Sequence, residues 1–196
     1  MLIEETDDEG RYPVQIAIAQ KNKPALEALL ARGARLRSST WQTAVESFPE
    51  ALFVLFSKLM DDAGILFRKK RFEDAMHRLH YALNKCEMSL KTEDLRELHN
   101  GLLKVRQQIV MSIARVLRRQ GRTQQAIDIC ASLELNCCEQ IRFESLLLRA
   151  KCHFDLQDIE CAKAHVQEAI QLRPDHDEAR HLLNTLTLPS TNIARL

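Results

Sequence analysis

Glu73, His77 and His80 fall within two turns of one predicted helix, a spacing at which a carboxylate and two imidazoles can share a metal ion. Cys137 and Cys138 are adjacent, and Cys152 precedes His153. Neither cysteine spacing matches the Cys-x-x-Cys pattern of zinc or redox sites. The histidines are therefore read as residues of a solvated helix face and the cysteines as loop or packing residues. No metal or other cofactor is expected. The sequence has no Gly-rich phosphate loop, no nucleophile elbow and no His-Glu-x-x-His helix. No catalytic residue is assigned, and the chain is read as a non-enzyme.

The chemistry that remains is recognition. Arg115, Arg118, Arg119 and Lys151 could form a cationic strip, with Arg as the bidentate donor toward an acidic peptide. Arg68 lies at a matching position in an earlier segment, and Phe67, Met111 and Phe154 could supply apolar contacts. The alternative is that these arginines solvate a helix and complement its C-terminal dipole. Both readings stay open at the level of sequence. RNA is disfavoured, because no stacking aromatics interleave the cluster.

These side chains need helices to position them, and the helices recur. Tyr12-Pro13-Val14-Gln15-Ile16-Ala17-Ile18 reads as a variant of the ankyrin start Thr-Pro-Leu-His-x-Ala, running through Ala25–Leu30 to Arg32-Gly33-Ala34. Pro13 suits a first helical turn and Gly33 a left-handed helix end. Tyr12 and Gln15 replace the usual Thr and His. Thr40 is expected to cap a short helix from Trp41 to Ser47, and a new helix to start after Pro49. From Leu52 to Phe67 apolar residues recur at helical spacing without a break, so the last ankyrin-like helix and the next are expected to be one.

Three later units follow the tetratricopeptide (TPR) pattern of ~34 residues in two antiparallel helices. Its close crossings call for small residues, met by Ala63, Ala75 and Ala82, by Ala114, Gly121 and Ala126, and by Ala150, Ala162 and Ala169. Pro174 then stands where the last helix should stop. Leu133 and Cys138 break the second unit's pattern, which predicts distortion at its end. Thr92 is expected to cap one long helix over about 93–120. Residues 177–188 read as a capping helix with Ala179, Leu182, Leu183 and Leu186 on its apolar side, and 189–196 as a disordered tail.

Together these patterns predict an all-α chain: an α-solenoid in which an ankyrin-type cap is fused to about three TPR repeats and closed by a C-terminal capping helix. The expected divisions are an acidic extension over 1–10, an ankyrin-like segment over 11–53 and TPR units over 54–176. Composition agrees. Apolar residues make up 45% of the 196, aromatics 5%, and Gly and Pro number five each, too few for the turns of a β-rich fold. A net charge of +1 lacks the basic excess of a nucleic-acid binder. The acidic start has no signal-peptide pattern and no apolar run is long enough to span a membrane. The six cysteines, at 86, 130, 137, 138, 152 and 161, suit reduced, partly buried thiols in a cytoplasmic protein. Val14, Ile18, Leu26 and Leu30 are expected to be partly exposed, because no preceding repeat covers them.

The order of these segments resembles one family. Leu26-Glu27-Ala28-Leu29-Leu30-Ala31-Arg32-Gly33-Ala34-Arg35-Leu36, then Trp41-Gln42, Leu52-Phe53-Val54-Leu55, Lys58-Leu59-Met60, Asp62 and Arg78-x-x-Tyr81-Ala82-Leu83, resembles the TANC / rolling pebbles scaffold proteins at their junction of ankyrin and TPR repeats. The likeness covers most of residues 11 to 186. Relatives tend to show Gly-Asn where this chain has Ala63-Gly64. The resemblance implies a piece of a multidomain scaffold beneath the plasma membrane at cell contacts, at synapses or sites of myoblast fusion, linking an adhesion-receptor tail to a cytoskeletal protein. The partner expected from the residues is an acidic or amphipathic peptide. Two alternatives are a self-associating module that caps an ankyrin stack and a TPR adaptor of a chaperone or regulatory complex. A chaperone-tail clamp finds no match, since Met60, Gly64, Ser112, Glu144 and Leu148 occupy its positions.

Overall fold

The computed structural model describes residues 3–133 and 137–187. Among these the chain is all-helical: ten α-helices, one 3-10 segment and no strand. Two compact units divide it, Met1–Arg106 and Gln107–Leu196. The expected boundary at 53/54 falls inside a continuous helix, so the residues on either side of it share one unit. The disordered tail expected over 189–196 lies outside the described residues.

The first unit opens with Pro13–Ala19 (α1) and Lys23–Ala31 (α2), followed by Ser38–Ser47 (α3), Ala51–Arg68 (α4) and Phe72–Lys91 (α5). Helix α1 begins as predicted on Pro13, and Gly33 ends α2 at φ +93°. Gln15 replaces the expected His yet closes the turn: its Oε1 accepts from the Tyr12 backbone N–H at 3.0 Å, and its Nε2 reaches Thr43 Oγ1 at 3.4 Å. Helix α3 starts three residues earlier than expected. Thr40 is not its cap but a buried residue of its first turn, whose hydroxyl accepts from the Arg37 N–H. Helix α4 runs unbroken for 18 residues, as the apolar spacing predicts.

Val14, Ile18, Leu26 and Leu30 are buried, against the expectation of a bare N-terminal edge. Helix α1 packs on both α2 and α3, and α2 also touches α4, so the apolar side of the pair is covered within the unit. Burying each such side chain is worth ~1.5–3 kcal/mol. Trp41 completes this core, its ring 5.2 Å from Phe56 and 6.2 Å from Tyr81.

The long helix expected over 93–120 is two elements. Glu93–Leu98 is 3-10, with Leu95 at φ −102°, ψ 15°, and the α-helix spans His99–Arg119 (α6). Leu95 is buried, and the segment packs on α5, so seating this leucine takes precedence over straight continuation. Thr92 does not cap; its hydroxyl donates to the Met88 carbonyl at the end of α5.

The second unit holds the end of α6, then Thr123–Leu133 (α7), Glu139–Asp155 (α8), Ile159–Leu172 (α9) and Asp177–Thr187 (α10). Its core gathers Phe143, Leu146, Leu147, Ala150, Ala162, Val166, Ala169, Ala179 and Leu186, so α10 is a packed lid on α8 and α9. Helix α7 packs on α8, and α9 on both α8 and α10.

One turn closes four helical pairs: α1–α2, α4–α5, α6–α7 and α8–α9. In each, three residues join the helices and the middle one is left-handed: Lys21, Lys70, Gly121 and Gln157. Its N–H bonds back across the end of the helix, and the next N–H bonds to the carbonyl one residue earlier, as in Lys70 to Phe67 and Arg71 to Leu66. This is the Schellman cap. The following residue also starts the next helix. Asn22 and Asp158 accept the third N–H of α2 and α9, whereas Arg71 and Arg122 reach Asp74 and Gln125 by side chain. Of the small residues expected at helix crossings, Ala63, Ala75, Ala82, Ala114, Ala126, Ala150, Ala162 and Ala169 are buried, whereas Gly121 is exposed and serves the turn instead.

Candidate functional site

The residues expected to line a cationic groove stand differently in the two units. In the first, Phe67 is half-buried, its ring 5.6 Å from Phe72 in an edge-on contact, and Arg68 is exposed at the end of α4. In the second, Met111 is fully buried and belongs to the core, so it cannot line an open surface. Phe154 is half-buried against the α8–α9–α10 core.

The cations of the second unit are mostly neutralised at home. Arg115 donates to Glu144 Oε2 at 2.6 Å. Arg118 grips Asp155 with two bonds, Nε to Oδ2 at 2.6 Å and Nη2 to Oδ1 at 3.0 Å. Lys151 reaches Glu178 Oε1 at 2.6 Å, and that ammonium holds the Glu178 carboxyl below its ordinary range. Arg119 alone of the four forms no ion pair with a described residue. An incoming carboxylate must displace one already held, so the strip presents far less free positive charge than its sequence implies. Pairs this exposed contribute ~0–1 kcal/mol each to stability. Their effect is on the surface potential.

The first unit offers a better site that the repeat positions did not single out. A cleft of about 690 Å³ opens between the loop after α2 and the surface of α4 and α5. Leu36, Leu59, Ile65, Leu66 and Tyr81 supply its apolar lining, and Ile65 and Tyr81 are exposed at 41% and 37%. Arg35 and Arg78 stand at it, both exposed, and neither forms an ion pair with a described residue. The Lys58–Asp62 pair, 2.6 Å apart, contributes no net charge. Outside this lining, Lys85 Nζ lies 5.8 Å from the rings of Tyr81 and Trp41. The cleft therefore combines apolar side chains with two exposed cations, Arg35 and Arg78. Its one sequence signal is Arg78-x-x-Tyr81, in which residues three apart share a helix face.

The histidines read as surface residues, His77 and His80, are exposed. Cys86, Cys130 and Cys152 are buried. Burial pushes their thiols up to about 11, 12 and 11, with the neighbouring Cys152 adding to the rise at Cys130. They are packing groups, inert as nucleophiles at neutral pH. No helix of the described residues is long and apolar enough to cross a membrane. A comparison with models of known protein families finds none that matches the chain.

Proposed function

We propose that this chain is a protein–protein interaction module of helical-repeat type, an ankyrin-like pair continued by TPR-like pairs, which holds an acidic, amphipathic segment of a partner. The observation that carries this reading is the cleft of the first unit. There the Arg35 and Arg78 side chains form no ion pair with a described residue, although the Glu4 carboxylate accepts the Arg35 backbone N–H at 2.8 Å, and both flank the exposed Ile65 and Tyr81. Exposed aromatic and aliphatic anchors beside arginine side chains outside any ion pair among the described residues suit a segment that alternates carboxylates with apolar side chains. The recurring three-residue turn and the buried alanines at the crossings support the repeat reading.

The second-unit strip is a weaker candidate, because Arg115, Arg118 and Lys151 are already paired. The resemblance to TANC / rolling pebbles scaffolds supports a role in tethering a receptor tail or cytoskeletal protein at cell contacts.

Two charge-reversal variants test the site. Fluorescence anisotropy is measured with a labelled peptide of alternating Glu and Leu and with its Lys counterpart. Arg35→Glu/Arg78→Glu is expected to weaken binding of the Glu peptide at least tenfold, whereas Arg115→Glu/Arg119→Glu/Lys151→Glu changes it less than threefold. The opposite ranking returns the site to the second unit. Equal binding of both peptides by all three proteins removes the acidic-partner reading.

A further inference from the structure

The α8–α9 turn gathers a second set of groups. Helix α8 ends at Asp155, and the left-handed Gln157 turns the chain so that the Asp158 N–H bonds to the His153 carbonyl. This closed turn fixes the backbone distance between residues 153 and 158. The His153 ring then meets the Asp158 carboxylate, Nδ1 to Oδ2 at 3.1 Å, while the other carboxylate oxygen accepts the Cys161 N–H at 3.2 Å. The imidazole, carboxylate and thiol donor atoms of His153, Asp158 and Cys161 all lie within 4.8 Å of one another. His165 follows Cys161 by four residues and so lies on the same face of α9. Its ring centroid is 5.2 Å from that of His153.

We propose that His153, Asp158, Cys161 and His165 form a binding site for a thiophilic divalent cation, zinc by the chemistry of its donors. Two imidazoles, a thiolate and a carboxylate are the donor types of tetrahedral zinc, with ligand bonds of roughly 2.0–2.3 Å. Such bonds put neighbouring donor atoms roughly 3–4 Å apart, a spacing that the donor atoms of His153, Asp158 and Cys161, within 4.8 Å of one another, already approach. Calcium and magnesium prefer all-oxygen shells and are excluded by the thiol and imidazoles. Sulfur and nitrogen donors separated by three residues on one helix match the helical half of known zinc spacings. The site spans a single turn, so an ion there staples α8 to α9. On binding, the Cys161 thiol releases its proton to solvent and the sulfur becomes the ligand. Asp158 keeps one oxygen on the N-terminus of α9 while the other faces the ion.

Chelator-treated protein in a thiol-free reductant, titrated with cobalt(II) and then with zinc, tests the site. The expected result is one equivalent of cobalt bound with tetrahedral visible bands and thiolate-to-cobalt charge-transfer absorption, both erased by zinc. Cys161→Ser should abolish the charge-transfer band. His153→Gln, His165→Gln and Asp158→Asn should each weaken cobalt at least tenfold. Asn still caps a helix, so the last variant stays folded. His77→Gln/His80→Gln and Cys137→Ser/Cys138→Ser should leave the spectrum unchanged, and circular dichroism checks the helicity of each protein. Absence of the charge-transfer band in the wild type overturns the proposal. So does its persistence in Cys161→Ser, which would place the metal on other cysteines.

Discussion

Lys70 and Gln157 hold the left-handed position at which Gly121 serves the same turn between α6 and α7. A side chain in that conformation costs ~1–2 kcal/mol, which glycine avoids at the cost of greater freedom when unfolded. Lys70→Gly and Gln157→Gly are each expected to stabilise the protein by about 0.5–1 kcal/mol, and Gly121→Ala to destabilise it by about 1 kcal/mol. Urea midpoints should move accordingly, with the slope of the transition unchanged. Gly121 is visible in sequence as a turn residue. Lys70 and Gln157 are not, because neither side chain signals its φ. Gln15 is the converse: an unexpected residue type that supplies the hydrogen bonds the turn needs.

Among the elements, the crossings tolerate little added volume. Ala162 is buried where α9 meets α8, whereas Ala164, two residues on, is exposed. Ala162→Leu should cost about 1–3 kcal/mol and Ala164→Leu stay within about 0.5 kcal/mol, both read from thermal or urea unfolding. Gly101, in the first turn of α6, faces the side chain of Phe53 on α4. A Cβ added there would lie 2.7 Å from the ring tip. Alanine ordinarily gains ~1 kcal/mol over glycine inside a helix. Gly101→Ala should nonetheless destabilise the wild type and stabilise Phe53→Ala, a change of sign that a double-mutant cycle reads directly. The buried alanines could be placed from their spacing alone. The Gly101 contact could not, since it joins residues 48 apart. The 3-10 segment over 93–98 was also illegible, because six residues cannot separate a period of 3.0 from one of 3.6.

Across the whole molecule, both units bury thiols, and this ties stability to alkaline pH. Cys86, Cys130 and Cys152 titrate at about 11, 12 and 11 when folded, against an ordinary 9.0. A raised pKa favours the protonated folded form, so its contribution is complete below about pH 9 and is lost as pH rises toward 11–12. The urea midpoint should fall between pH 8.5 and 10.5, and less steeply in Cys86→Ala/Cys130→Ala/Cys152→Ala. Native-state alkylation at pH 8 should label the exposed Cys138 and Cys161 well before these three, and zinc should protect Cys161 alone of the two.

Local patterns determined the helical class, the pairing of helices and the small residues at their crossings. Helix period, turn length and close approach are all written within some thirty residues of chain. The candidate sites depended on tertiary structure. Whether Arg115, Arg118 and Lys151 are free charges turns on Glu144, Asp155 and Glu178, which stand 29, 37 and 27 residues away. The cleft draws the loop after α2 against α4 and α5, and the metal-ligating set exists only once α8 folds back on α9. Charge and coordination depend on distances in space, and spacing along one helix constrains those only within that helix.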